Sequence, residues 1–495
     1  MNLIDQLHAA RRVGVPIVAV STADAAATAD LIAKSIDAPV ICWDIVRAVR
    51  SLNEKGRAAA EVAFGDEASS VTGPADMLER SVRVPKETIV LALQADRYLA
   101  GPSSEAVIQA VANLRDLFKS DGRTLVLLGT SFTLPVELTH DVLTIDEPLP
   151  EADQLGEIVQ AQVRAAQLPD LDPEVLDRAV AAVRGLSPFA AEQAVALSLK
   201  KAGLDLDRLW LRKKSFIRQT AGLAIDESQE DYDNIGGLDA VKEFGRRLLA
   251  GRDRPAAVIW VDEIEKQLAG ATGDLSGVAQ DQLGVLLQHM QNNNSTGMIC
   301  VGPPGSAKSM FARATARTGG IPCVQLDLGA AKGSLVSESE TKIRNALRVV
   351  KAIAAGRELW IATANSLDRI PPELRRRFCY GVYMFDTPSQ EEREAIWRIH
   401  EAKLGVSGQS RPEDSNWTGA EIRTCCTIAW RLDCSIKEAA KYVVPVAVSS
   451  AEQVAALRKL AHRRFLDASR GGVYLNPAAT DVQAAGTRTI NPGEN

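Results

Sequence analysis

The chain has 495 residues, 46% hydrophobic and 24% charged, with a formal net charge of −6 and a pI near 5.6. That length exceeds one ordinary core and predicts two or three domains of soluble, globular balance. The acidity argues against large-scale coating of nucleic acid, though it leaves room for a local basic pore.

Cys42, Cys300, Cys323, Cys379, Cys425, Cys426 and Cys434 form no CxxC pair and no cluster with metal-ligand spacing. This is the pattern of reduced thiols in a cytoplasmic protein. The opening MNLIDQLHAARRVG lacks the apolar region of a signal peptide, and no apolar run reaches membrane-spanning length.

Residues 1–150 alternate apolar runs with helical periodicity. VPIVAVST (15–22), ETIVLAL (87–93) and TLVLLGTS (124–131) read as buried parallel strands, with DAAATADLIAKSI and EAVIQAVANLRDLF as the helices between. The first strand runs into ADAAATAD, with neither a Gly-rich turn nor a Lys, so this α/β domain has no phosphate cradle. Asp96, after the second strand, reads as a solvated turn residue. Residues 151–200 read as a small helical unit in which Asp172-Pro173 supplies an N-cap with Pro at the first helical position. Residues 201–232 read as a charged helical connector.

A second α/β unit spans 233–400, followed by helices over 401–468 and a polar, Gly/Pro-punctuated tail over 469–495 that is expected to be mobile. Its first apolar strand, AAVIWV, carries Asp262 and Glu263 at its carboxyl end, where ligands bind in open parallel sheets. Asp262 could hold Mg²⁺ and Glu263 could activate a water; acids capping a helix N-terminus are the alternative reading.

The next strand, GMICV, leads into Gly302-Pro303-Pro304-Gly305-Ser306-Ala307-Lys308-Ser309 and a helix opening at Ser309-Met310. This strand–loop–helix context is that of a phosphate loop. Lys308 would reach the β- and γ-phosphates of ATP and Ser309 would ligate Mg²⁺. Ala307 stands where G-x-x-x-x-G-K-[ST] has Gly; if left-handed, it costs about 1–2 kcal/mol, at the expense of affinity or turnover. The later strand ELWIATAN carries no acid at its end and finishes in Asn365, a group suited to positioning water, so Asp262 and Glu263 are the metal acids left available.

Together these segments resemble an AAA-family ATPase module over 233–466. NIGGLD (234–239) is similar to the family's leading segment, which implies that Ile235 and Gly236 lie against adenine. GPPGSAKS resembles Walker A, VIWVDE Walker B, and ATANSLDRIPPELRRRF the stretch from sensor 1 to the arginine finger. The likeness implies that Arg376 and Arg377, in the run 375–377, act in the neighbouring subunit's site. LVSESETKIRNAL resembles the pore loop, with Leu335 and Val336 facing a substrate. WTGAEIRTCC resembles the lid motif, whose Gly419 and Ala420 approach the nucleotide. The whole chain also resembles a narrower group from cyanobacteria and algal plastids, in which a degenerate ATPase-like domain precedes one active module.

One feature departs from the family: the Walker B strand and its helix precede Walker A. Strand position in a sheet depends on packing and pairing, so a reassembled site is expected, with a decayed site as the alternative. The resemblance implies an α/β P-loop core with a helical lid, ATP and Mg²⁺ as cofactors, and a homo-oligomeric ring, hexameric as in the family, acting on a protein substrate. A slow nucleotide-gated switch or scaffold, or a motor on nucleic acid, are the competing readings.

Overall fold

The computed structural model describes residues 3–99, 104–268, 278–330, 336–368 and 370–478. These divide into two compact units, Met1–Phe216 and Ile217–Asn495.

The apolar runs of the first unit form a sheet of β1 (Ile17–Ser21), β2 (Val40–Asp44), β3 (Ala48–Ser51), β4 (Ile89–Leu93), β5 (Thr124–Gly129) and β6 (Leu143–Asp146). The order is β3-β2-β4-β5-β1-β6, parallel except for the β2–β3 pair. Apolar clusters cover both faces, which is why β1, β4 and β5 read as continuous hydrophobic runs. In the turn after β1, Asp24 Oδ1 accepts the Ala27 N–H at 3.0 Å, so the next helix, Ala25–Ser35, is capped by its own chain. Asp96 is not free in solvent: it opens the helix Ala95–Leu99 and its Oδ2 accepts from the N–H and hydroxyl of Thr130 at 3.1 and 2.8 Å.

The helical part of this unit packs Ala152–Ala165, Pro173–Val183 and Pro188–Ala196 around Leu155, Val159, Val183 and Val195. Pro173 occupies the first helical position after Asp172. Instead of continuing as helix, the chain turns back in a short antiparallel pair, β7 (Leu199–Lys200) and β8 (Gly203–Leu204).

The second unit is built on β9 (Leu223–Ile225), β10 (Ala257–Val261), β11 (Thr296–Val301), β12 (Cys323–Leu326), β13 (Glu358–Ala364), β14 (Val382–Met384) and β15 (Leu466–Asp467). Their order is β15-β14-β11-β13-β10-β12-β9. The phosphate-loop strand β11 and the acid-bearing strand β10 flank β13, all parallel, so their carboxyl ends share one edge. Chain order and sheet order differ because each strand is sorted by its pairing and by burial on both faces. Ala257, Ile259 and Val261 face one apolar cluster; Val258 and Trp260 face the other.

Two expectations are corrected here. The stretch 201–232 is more than a helical connector: β9 closes the sheet edge antiparallel to β12. The tail starts later than 469. β15 extends the sheet beside β14, Tyr474 is buried, and its hydroxyl and Arg458 both hydrogen-bond Asp386. The helix Ala451–Ala461 also packs on this α/β core through Leu457 and Ala461. The lid has its own cluster, including Trp397, Trp417, Ile422 and Ile436. Residues 479–495 lie outside the described residues, as does the expected pore residue Leu335; Val336 is the first residue of the helix Val336–Ala354.

Candidate nucleotide site

Strand register builds the site. Val261 pairs with Ala362, which sets Asp262 beside Thr363, and Val301 pairs with Ala364, which sets Gly302 beside Asn365. The loop then wraps from Gly302 to the helix Lys308–Gly319. Gly302 has no room for a side chain: a Cβ would stand 2.0 Å from Phe385 O. Gly305 is left-handed at φ +83°, and a Cβ there would meet the hydroxyl of Thr418 at 2.6 Å. Ala307 is left-handed too, at φ 66° and ψ 17°, so the Cβ expected to be strained is strained. Pro304 is exposed at the loop's tip, Ser306 is buried with Oγ donating to Pro303 O at 2.9 Å, and Met310 packs partly against the core.

Lys308 Nζ is buried and donates to Gly302 O and Pro303 O at 2.8 Å each and to Asn365 Oδ1 at 3.1 Å. Burial pulls its pKa down to about 8, opposed by the carboxylates of Glu265, Asp262 and Glu263. The amine therefore sits where an anion's charge would restore its preference for the protonated form.

The acids and the loop converge. Ser309 Oγ donates to Asp262 Oδ1 at 2.7 Å, and Thr363 Oγ1 donates to the same oxygen at 2.6 Å. Asn365 Nδ2 donates to Glu263 Oε1 at 3.1 Å, so one amide links Lys308 and Glu263. Glu263 is left-handed (φ 47°, ψ 50°) and pairs with Lys266 at 2.8 Å. One carboxylate and one hydroxyl form a hard oxygen pair that fits Mg²⁺, which takes few protein ligands and completes its octahedron with phosphate and water. Among the described residues no cluster of three His, Cys, Asp or Glu could cage a metal alone.

Sequence reasoning missed Thr363, Glu265 and Lys266. Thr363 and Asn365 share a face of an alternating strand end, a signal visible in ATAN. Glu265 is buried, and its Oε1 accepts the Asn365 N–H at 2.9 Å.

From the lid side, Ala420 N–H meets Gly305 O at 3.4 Å, and Gly419 begins the helix Gly419–Leu432. Ile235 is buried, and Gly236 runs against Ile396, where a Cβ would meet Cγ1 at 2.6 Å. The arginines behave differently from one another. Arg376 is exposed, Arg377 donates to Gln291 Oε1 at 2.7 Å, and Arg375 Nε is buried without a hydrogen-bond partner among the described residues.

Comparison with known proteins agrees with this architecture. A family model described as "SpoVK-like AAA ATPase, N-terminal domain" matches residues 3–147, and its "second domain" counterpart matches 153–220. The model "ATPase family associated with various cellular activities (AAA)" matches 298–356, beginning in β11 and ending before β13, with β10 outside it. The "Uncharacterized AAA domain-containing protein ycf46" of Guillardia theta is 22% identical over 451 residues, 79% of this chain and 82% of the relative. The protein of the same name from Trieres chinensis is 23% identical over 482 residues, 86% and 87% of the two chains. That of Pyropia yezoensis is 22% identical over 413 residues, 71% and 77%. Among the described residues no helix is long and apolar enough to cross a membrane. With matches in both units and a phosphate loop and acid pair meeting at one sheet edge, the chain belongs to the AAA ATPase family.

Proposed function

We propose that this chain hydrolyses ATP with Mg²⁺, works as a ring of identical subunits, hexameric by analogy with its family, and uses the turnover to remodel a protein substrate. The observation that carries the reading is the convergence of Lys308, Ser309, Asp262, Glu263 and Asn365 through strands that are distant in chain order.

In this reading Lys308 and the N–H groups of Gly305 through Met310 bind the phosphates. Asp262 and Ser309 hold Mg²⁺, which offsets phosphate charge when bound. Glu263 takes the proton of the attacking water and Asn365 orients it. Ile235 and Gly236 flank the adenine, with Gly419 and Ala420 on the lid side. Arg376, exposed, and Arg377 reach a neighbour's site, which is why a ring is required. Leu335 and Val336 belong to the segment that would meet a threaded chain. All seven cysteines are free, in keeping with a reducing compartment such as the cytoplasm.

A second reading, a slow nucleotide-gated switch or scaffold, is favoured by the ion pair of Lys266 with Glu263. Glu263→Gln separates the two. In a working ATPase it retains ATP binding, loses turnover and holds copurifying substrate in the ATP state. Wild-type turnover no faster than that of Glu263→Gln would favour the switch.

A further inference from the structure

Thr363 is 1% exposed and sits one residue past the last ladder pair of β10 and β13. Its hydroxyl is used twice. It donates to Asp262 Oδ1 at 2.6 Å and accepts the Glu263 N–H at 2.9 Å. Asp262 Oδ1 thereby gathers two hydroxyls, those of Thr363 and Ser309, while Oδ2 takes no hydrogen bond among the described residues. Glu263 leaves the strand in a left-handed conformation that costs a non-glycine residue energy, and its N–H is held in that bend by Thr363. A β-branched residue suits this position because its χ1 is stiff, so the hydroxyl keeps one direction.

We propose that Thr363 is a positioning residue for both acids: it turns Asp262 so that Oδ2 faces the cation position and fixes the backbone from which Glu263 projects. Thr363 acts through its two neighbours on the adjacent strand, Asp262 and Glu263. The inference rests on the reading of the site as a Mg²⁺-ATP site.

The test is Thr363→Val in the full chain, with Thr363→Ser beside it. Val keeps the shape and β-branching and removes both hydrogen bonds. ADP affinity measured in EDTA with a fluorescent analogue should match wild type, because Lys308 and its loop are untouched. The Mg²⁺ concentration for half-maximal enhancement of ATP binding should rise about tenfold, the scale of a hydrogen bond to a charged group, and kcat should fall. Thr363→Ser should return the Mg²⁺ midpoint to within about threefold of wild type, since it restores the same hydrogen-bonding group. An unchanged Mg²⁺ midpoint in Thr363→Val overturns the proposal, and so does equal loss of ADP affinity in EDTA. If Val prevents folding, Thr363→Ala carries the same measurements. Absence of Mg²⁺-dependent ATP binding in wild type would instead refute the site reading itself, and this proposal with it.

Discussion

Replacing Ala307 with Gly removes a Cβ from a left-handed residue at φ 66° and ψ 17°. Relief of that strain is about 1–2 kcal/mol. Against it stands the added freedom of Gly in the unfolded chain, about 0.4–1 kcal/mol. Ala307 is also partly buried against the core, so losing its methyl costs about 0.4 kcal/mol, half the value of a fully buried group. The net change in folding stability lies between about −0.4 and 1.2 kcal/mol, a Tm shift of at most about 5 °C for a unit this size.

The left-handed turn is held by bonds internal to the protein. Phe311 N–H reaches Ala307 O at 2.8 Å, and Lys308 Nζ ties down Gly302 O and Pro303 O. Strain held by the fold enters the folding free energy and cancels from binding. Ala307→Gly should therefore alter ATP affinity by less than about threefold. Calorimetric titration with ATP, paired with thermal melts, makes the measurement, and Lys308→Ala supplies the control that loses binding. A tenfold tightening in Ala307→Gly would refute the reasoning, because it would place the strain in the binding step.

Arg376→Ala or Arg377→Ala should lower turnover while nucleotide affinity stays near wild type. Mixing either with Glu263→Gln protein should recover part of the rate, because a mixed ring can pair an intact Glu263 with a neighbour's intact arginines; no recovery under subunit exchange would remove the trans role. Lys213 is buried, donates to Ala181 O at 2.9 Å and lies 4.6 Å from the Trp210 ring centre, and burial pulls its pKa down to about 7. Between about pH 7 and its ordinary 10.5 the unfolded chain binds a proton that the folded form gives up, so this residue makes stability rise with pH across that window. Lys213→Met should raise Tm at pH 7, with the gain shrinking toward pH 10; a gain independent of pH would contradict the assignment.

Much of the candidate site is legible locally. GPPGSAKS, VIWVDE and ATAN each carry their chemistry within a few residues, and long apolar runs announce β1, β4, β5, β10, β11 and β13. Short strands are not announced: β9 has three residues and β15 two, and such segments take their extended form from the strand they pair with. Tyr474 and Arg458 look like surface residues of a tail and a lid until Asp386 brings them together.

The sequence by itself determined which side chains carry chemistry suited to phosphate, a cation and water, because that chemistry belongs to residue types at fixed local spacing. Only the tertiary structure decided that acids preceding the phosphate loop in the chain stand beside it in space. The register of β10 and β11 on β13 brings Asp262 to Ser309 and Asn365 to both Lys308 and Glu263, and it recruits Thr363, whose role exists only across a strand boundary. Hydrogen-bond pairing between strands is indifferent to the order in which the chain supplies them, which is why acids that come before the phosphate loop in the sequence can stand beside it in the sheet.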